Sequence, residues 1–149
     1  MIDPATAFNL SGKLVMLGWL GLIASLFIAR ARPTTQMAAR LIVPALLAIA
    51  YGLLIRTGFA EATGGGFGSI AEVRALFASD SALTAGWLHY LAFDLFVGGW
   101  IVADGLKRGI PALLILPCLP LTFLFGPLGL LLFILLRLAF RRRQPAETL

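Results

Sequence analysis

The chain has 149 residues, of which 60% are hydrophobic and only 13% charged, and its formal net charge is +5. A water-soluble domain carries roughly 25% charged residues, so a chain long enough for one domain cannot cover its surface with charge, and lipid is the solvent that fits. Lys107, Arg108, Arg137 and Arg141 to Arg143 lie between or after apolar runs, an arrangement that serves topology and anionic headgroups and excludes a nucleic-acid interface, which needs basic residues interleaved with aromatics.

The first apolar run, about 8–29, predicts a membrane span. Its Met-Ile-Asp-Pro start has no basic region and no small-residue cleavage site, so this run is expected to stay in place rather than act as a signal. Lys13 lies near its start, where it can snorkel. A basic loop with Arg30, Arg32, Pro33 and Arg40 follows, and a second span is expected over about 41–57, with Pro44 tolerated in its first turn. Gly64, Gly65, Gly66 and Gly68 then form a hinge; no Gly-Lys-Ser/Thr follows them, so a phosphate loop is not expected. Ser69 and Glu72 have capping-box spacing. They predict a short amphipathic helix over 69–79 at the membrane surface, with Ile70, Val73, Leu76 and Phe77 on one side.

The third span is expected over 81–103, with Asp80 as its N-cap and Lys107 and Arg108 after it. The last apolar stretch, Ile110 to Leu136, is uncharged and holds Pro117, Pro120, Gly126, Pro127 and Gly129. One straight helix of that length would measure about 40 Å, against a hydrocarbon core of about 30 Å. It is therefore either a kinked span over 110–137 or a hairpin broken at Gly126-Pro127. Each half of a hairpin is too short to cross, which favours one broken span. The expected fold is all-α: a single polytopic membrane bundle over 1–149, with about four spans and one interfacial helix. Four spans put both termini on one side, and the Arg cluster of the tail favours the cytoplasmic side.

Cys118 is the only cysteine and His89 the only histidine, so neither an intrachain disulfide nor a zinc pattern is available. No metal or cofactor is expected. The informative segment is Trp87-Leu88-His89-Tyr90-Leu91-Ala92-Phe93-Asp94-Leu95-Phe96 in the third span. A carboxylate at bilayer centre costs roughly 2.5–3.5 kcal/mol on insertion scales. Asp94 must therefore face the bundle interior, protonated or paired. Steps of three and four place Trp87, Tyr90, Asp94, Gly98 and Ile101 on one stripe, and His89, Phe93, Phe96 and Trp100 on another. His89 and Asp94, five residues apart, do not touch within the helix, whereas Tyr90 can reach Asp94. The plainer reading is that the two ionisable groups bond helices together and the aromatics pack. Asp104 beside Lys107 and Arg108 reads as a boundary ion pair, and Gly98 and Gly99 as sites of close helix approach.

At this segment the chain resembles the abscisic-acid-deficient-four-like family of small polytopic membrane proteins. The resemblance is carried by Pro44, Tyr51 and Leu53-Leu54; by Gly68-Ser69-Ile70-Ala71 and Leu76-Phe77-Ala78-Ser79; by Trp87, His89, Leu91, Ala92, Asp94-Leu95-Phe96 and Asp104-Gly105; and by Cys118-Leu119, Phe125, Pro127 and Gly129. It covers roughly residues 40–135. Plant members are required for making neoxanthin from violaxanthin, which implies a carotenoid or terpenoid ligand in the membrane. Epoxide opening to an allene needs an acid and a base and no net redox change. The resemblance thus implies Asp94 as the acid and His89 as the base, both neutral in low-dielectric surroundings. Trp87, Tyr90, Phe93 and Trp100 would line a substrate groove.

Three readings stay open: an acid–base isomerase of a carotenoid-like molecule, a non-catalytic pigment-binding or assembly protein, and a small proton-coupled transporter. A catalyst needs Asp94 and His89 in one shared cavity; a transporter needs a polar path, which the uncharged last stretch opposes. The expected partners are membrane lipid, that ligand and a second copy of the chain in a homo-oligomer, with no nucleic acid. The expected location is a bacterial inner membrane.

Overall fold

The computed structural model describes residues 2–140; the tail cluster Arg141 to Arg143 lies outside them. The described residues are helical with no strand. Helix α1 spans Pro4–Phe27. Asp3 caps it by accepting from the Thr6 amide at 2.8 Å and the Thr6 hydroxyl at 2.6 Å. Its far end is closed by Arg32, which donates to the carbonyls of Ser25 and Leu26.

The second span starts earlier than expected. A continuous helical run extends over Ala29–Glu61, through α2 (Arg32–Met37), a π-helical turn (Ala38–Ile42) and α3 (Val43–Glu61). Pro44 explains the π turn. Proline offers no N–H and its ring crowds the carbonyl four residues back, here that of Arg40. Widening the preceding turn absorbs the misfit.

Helix α4 (Ile70–Leu76) is the expected surface helix. Ser69 caps it by accepting from the Glu72 amide at 3.2 Å, and the Glu72 carboxylate reaches back to the Gly68 amide at 2.9 Å. Leu76 is fully buried, whereas Ile70 is exposed, so only part of the apolar side docks on the bundle.

Helix α5 (Asp80–Lys107) is the central element, packed against α1 and α3 along its length. Its N-cap is Ser79, which accepts from the Ala82 amide; Asp80 is the first helical residue instead. The chain leaves α5 through Gly109, at φ +72°. The Ile110 amide reaches the Gly105 carbonyl and the Gly109 amide that of Leu106, a Schellman closure that needs the left-handed glycine. Glycines set the close contacts: a Cβ on Gly98 would lie 2.6 Å from the Trp19 ring, and one on Gly58 2.6 Å from Ala82.

The last apolar stretch is a hairpin, not one broken span. It consists of α6 (Ala112–Ile115), α7 (Cys118–Phe125) and α8 (Pro127–Ala139). Gly126 turns the chain at φ +34°, ψ −88°, a conformation open to glycine and costly for other residues. Gly129 packs directly on the backbone of Thr122. Residues seven apart in a continuous helix are about 10 Å distant, so α8 doubles back along α7.

Neighbours on α5 give the depth of the hairpin. Ile115 packs on Gly105, Phe123 meets Tyr90, Gly126 meets Asp94, Phe133 meets Trp100, and Arg137 meets Asp104. The hairpin starts at the Lys107 end, reaches the middle of α5 and returns. The described residues thus hold three helical runs long and apolar enough to cross a membrane, Pro4–Phe27, Ala29–Glu61 and Asp80–Lys107, plus two shorter apolar helices. The odd number of long runs separates the two ends of the described residues. Asp3 lies beside Glu61 and Asp80, while Arg137 lies beside Asp104 at the opposite end of α5. The expectation that both termini share a side falls in part on residues 141–149, outside the described residues; the last described residues lie at the end of α5 opposite Asp3.

Candidate functional site

The stripe Trp87, Tyr90, Asp94, Gly98, Ile101 forms one continuous face of α5, and the hairpin divides it. The lower part is covered: Ile101 is fully buried and Gly98 holds the Trp19 ring. The upper part is left open because α7 and α8 stop at mid-depth. There α1, α5 and Phe77, the residue after α4, border an apolar groove of about 530 Å³, lined by Phe8, Phe77, Gly86, Trp87 and Tyr90 among others. Trp87 stacks on Tyr90 with ring centroids 5.4 Å apart, and Phe8 lies 5.6 Å from Trp87.

Tyr90 joins the groove to the hairpin tip: its ring lines the groove and its hydroxyl reaches the tip. The Tyr90 hydroxyl donates to the Phe123 carbonyl at 2.9 Å. That carbonyl lies in the last turn of α7, where helical acceptors lack intrahelical partners. One turn along α5, the Asp94 carboxyl lies against Gly126, whose Cβ, if present, would be 2.9 Å from Oδ1. Gly126 also begins α8, whose N-terminal end favours negative charge. Side chains one turn apart on α5 therefore meet the two half-helix ends. The Tyr90 phenol also interacts with the Asp94 carboxyl. Asp94 Oδ2 and Trp19 Nε1 are buried without a hydrogen-bond partner among the described residues. Trp19 packs edge-on against Phe123, 5.7 Å between centroids.

The sequence-derived site is split by this geometry. Trp87, Tyr90 and Asp94 come together. His89 does not join them: it is exposed on the other side of α5, stacked on Phe93 at 4.5 Å and 5.9 Å from Tyr51. The reason is rotation, since five residues turn a helix by about 140° from register. Among the described residues His89 and Asp94 therefore do not face one another. Phe93 lines a different groove, between α3 and α5. Trp100 packs edge-on against Phe133, and the Arg137 guanidinium lies 5.6 Å from its ring centre, so it faces the hairpin and does not line the groove at Trp87 and Tyr90.

Asp104 is more than a boundary pair. It binds Arg108 at 2.6 Å and Arg137 at 3.1 Å, which ties the end of α8 to α5. Phe8, Trp19, Phe123 and Gly126 were not legible as site residues. Phe8 and Trp19 read as ordinary span residues, and Phe123 contributes a backbone carbonyl, which no side-chain pattern announces. The Gly126-Pro127 break was the one available signal. Among the described residues no group of three or more His, Cys, Asp or Glu could hold a metal ion.

No curated protein and no solved structure matches the chain. A family model, described as ABA DEFICIENT 4-like, matches residues 6–133. That stretch covers the three long helical runs apart from Pro4 and Ala5, the groove, Asp94 and the hairpin as far as Phe133, and by it the chain belongs to the ABA DEFICIENT 4-like family.

Proposed function

We propose that this protein is an integral membrane protein that binds one end of a carotenoid- or terpenoid-like molecule in the groove above the hairpin tip. Membership of its family suggests a relation to neoxanthin synthesis, and the apolar helices suggest membrane association. The observation that carries the reading is Tyr90. Its ring walls the apolar groove, and its hydroxyl joins the polar tip formed by the Phe123 carbonyl and Asp94. An apolar trough with a polar cluster behind one wall, at Tyr90, suits a long hydrocarbon with an oxygenated end ring. Trp87 and Phe8 supply flat apolar surface, and Asp94 and Tyr90 orient the oxygen.

In the membrane the three long runs cross and the hairpin re-enters from one side to mid-depth, as non-helical backbone can do where protein covers it. Arg30, Arg32, Arg40, Lys107, Arg108 and Arg137 lie toward the hairpin's end, against Lys13, Arg56 and Arg74 toward the other, which also carries Asp3, Glu61, Glu72 and Asp80. Positive charge marks the cytoplasmic side. The groove then opens toward the opposite leaflet of what we take to be a bacterial inner membrane.

Binding is favoured over isomerisation because His89 lies away from Asp94. A catalytic version would have to run on Asp94 and Tyr90, with the carboxyl as proton donor. Both versions are tested by loading the purified protein with violaxanthin and following bound pigment by absorbance and product by chromatography. Trp87→Ala should lower bound pigment about tenfold. Asp94→Asn should weaken binding severalfold if the site only holds the ligand, and should abolish product while pigment stays bound if it reacts. Full loading of both variants would overturn the placement of the site.

A further inference from the structure

We propose a second site, for an anionic phospholipid, in the trough between α3 and α5 headed by Arg40. This trough, about 410 Å³, lies on the other side of α5 from the groove above the hairpin and is separate from it. Its walls are small or flat: Pro44, Ala45, Ala48, Ala92 and Phe96. Leu41, Phe93 and Phe96 are exposed along it, so it opens sideways to the acyl chains. Arg40 sits at one end.

Three features build the headgroup end. The π turn Ala38–Ile42 carries Arg40 and redirects it toward α5. Gly99 receives its stem, for a Cβ there would lie 2.6 Å from Arg40 Cγ. The guanidinium then lies 5.6 Å from the centre of the Phe96 ring. Gly99 is eight residues from Lys107, which places the Arg40 stem about 12 Å inward from the end of α5.

At that depth a cation is expensive and takes a partner. Among the described residues no carboxylate pairs with Arg40; the two ion pairs there both belong to Asp104. The ring face of Phe96 attracts the guanidinium but leaves its charge uncompensated. A phosphate drawn inward by local thinning supplies the missing charge, and one acyl chain fills the alanine trough. The site lies toward the basic end of the bundle, which is where basic pockets between helices collect anionic headgroups. A zwitterionic lipid offers the same chain without the net charge, so selectivity should follow the headgroup.

The test is native mass spectrometry of the full-length protein in detergent, titrated with phosphatidylglycerol or with phosphatidylcholine of identical chains. The wild type should retain phosphatidylglycerol about tenfold better. Arg40→Gln should remove that preference. Arg40→Lys should keep part of it, because a point charge replaces a planar fork. Ala48→Trp should reduce retention of both lipids with the charge intact. Arg30→Gln, at the same end of the bundle but outside the trough, should change nothing. Unchanged helicity and elution volume verify that each variant is folded. Equal retention of the two lipids by wild type would overturn the proposal, as would equal losses in Arg40→Gln and Arg30→Gln, which would mark a diffuse basic surface. Loss of phosphatidylglycerol in Arg40→Gln together with full retention in Ala48→Trp would place the lipid outside the trough and overturn it too.

Discussion

Helix α5 carries two ionisable groups within five residues, and its two faces treat them in opposite ways. Asp94 lies against the turn of a hairpin, with one carboxyl oxygen buried and Tyr90 beside it. His89 lies open to the surroundings between two aromatic rings. Both have a place in a membrane helix, for different reasons. The carboxyl lies against the N-terminal end of α8, which favours negative charge, whereas the imidazole gains from ring contact on an outer surface. Polarity in a span is therefore a poor guide to a shared site; which neighbour covers each face decides it.

The widest test of this contrast is topological. If the hairpin turns back at Gly126, the two ends of the described chain lie on opposite sides. Cysteines at Ile2 and Phe140, in a chain with Cys118→Ala, should then label from opposite sides with an impermeant thiol reagent. Labelling of both from one side would restore a fourth crossing and dissolve the Asp94 face as drawn. Next in size is Gly129→Leu. Its side chain would occupy the place of the Thr122 backbone, so the hairpin should open, at a cost of about 3 kcal/mol or more. Thermal unfolding in detergent reads this; a variant as stable as wild type would mean that α7 and α8 are not packed together.

A smaller effect separates the two faces directly. Tyr90→Phe loses the bond to the Phe123 carbonyl and should destabilise by about 1 kcal/mol. His89→Phe keeps the ring contact and should stay within about 0.5 kcal/mol. Equal effects in the same unfolding experiment would erase the distinction between the faces. The smallest effect is far from both. Asp3 is held below its ordinary value of 3.8 by its bonds to Thr6. A lowered carboxyl value means that the cap is fully present above the unfolded value and is lost as pH falls through the folded one. Amide exchange at Thr6 should therefore quicken only below about pH 3.8, with the rest of α1 unaffected.

Much of the molecule was legible beforehand because hydrocarbon imposes a simple rule on sequence: a span must be apolar and must satisfy its own backbone. That rule, with helical periodicity, located the three long runs, the surface helix with its Ser69–Glu72 cap, and the stripe that joins Trp87, Tyr90 and Asp94. It also required that Asp94 be covered. What it could not decide was the last stretch. Proline and glycine in an apolar run are equally compatible with a kink and with a reversal, because both leave the local pattern unchanged. The outcome depends on whether the freed half-helix ends meet polar partners, and those partners, Tyr90 and Asp94, lie about thirty residues earlier in the chain. Only the packed bundle brings the two segments together, and the reversal it selects sets the groove, the open half of α5 and the end of the bundle at which the described residues stop.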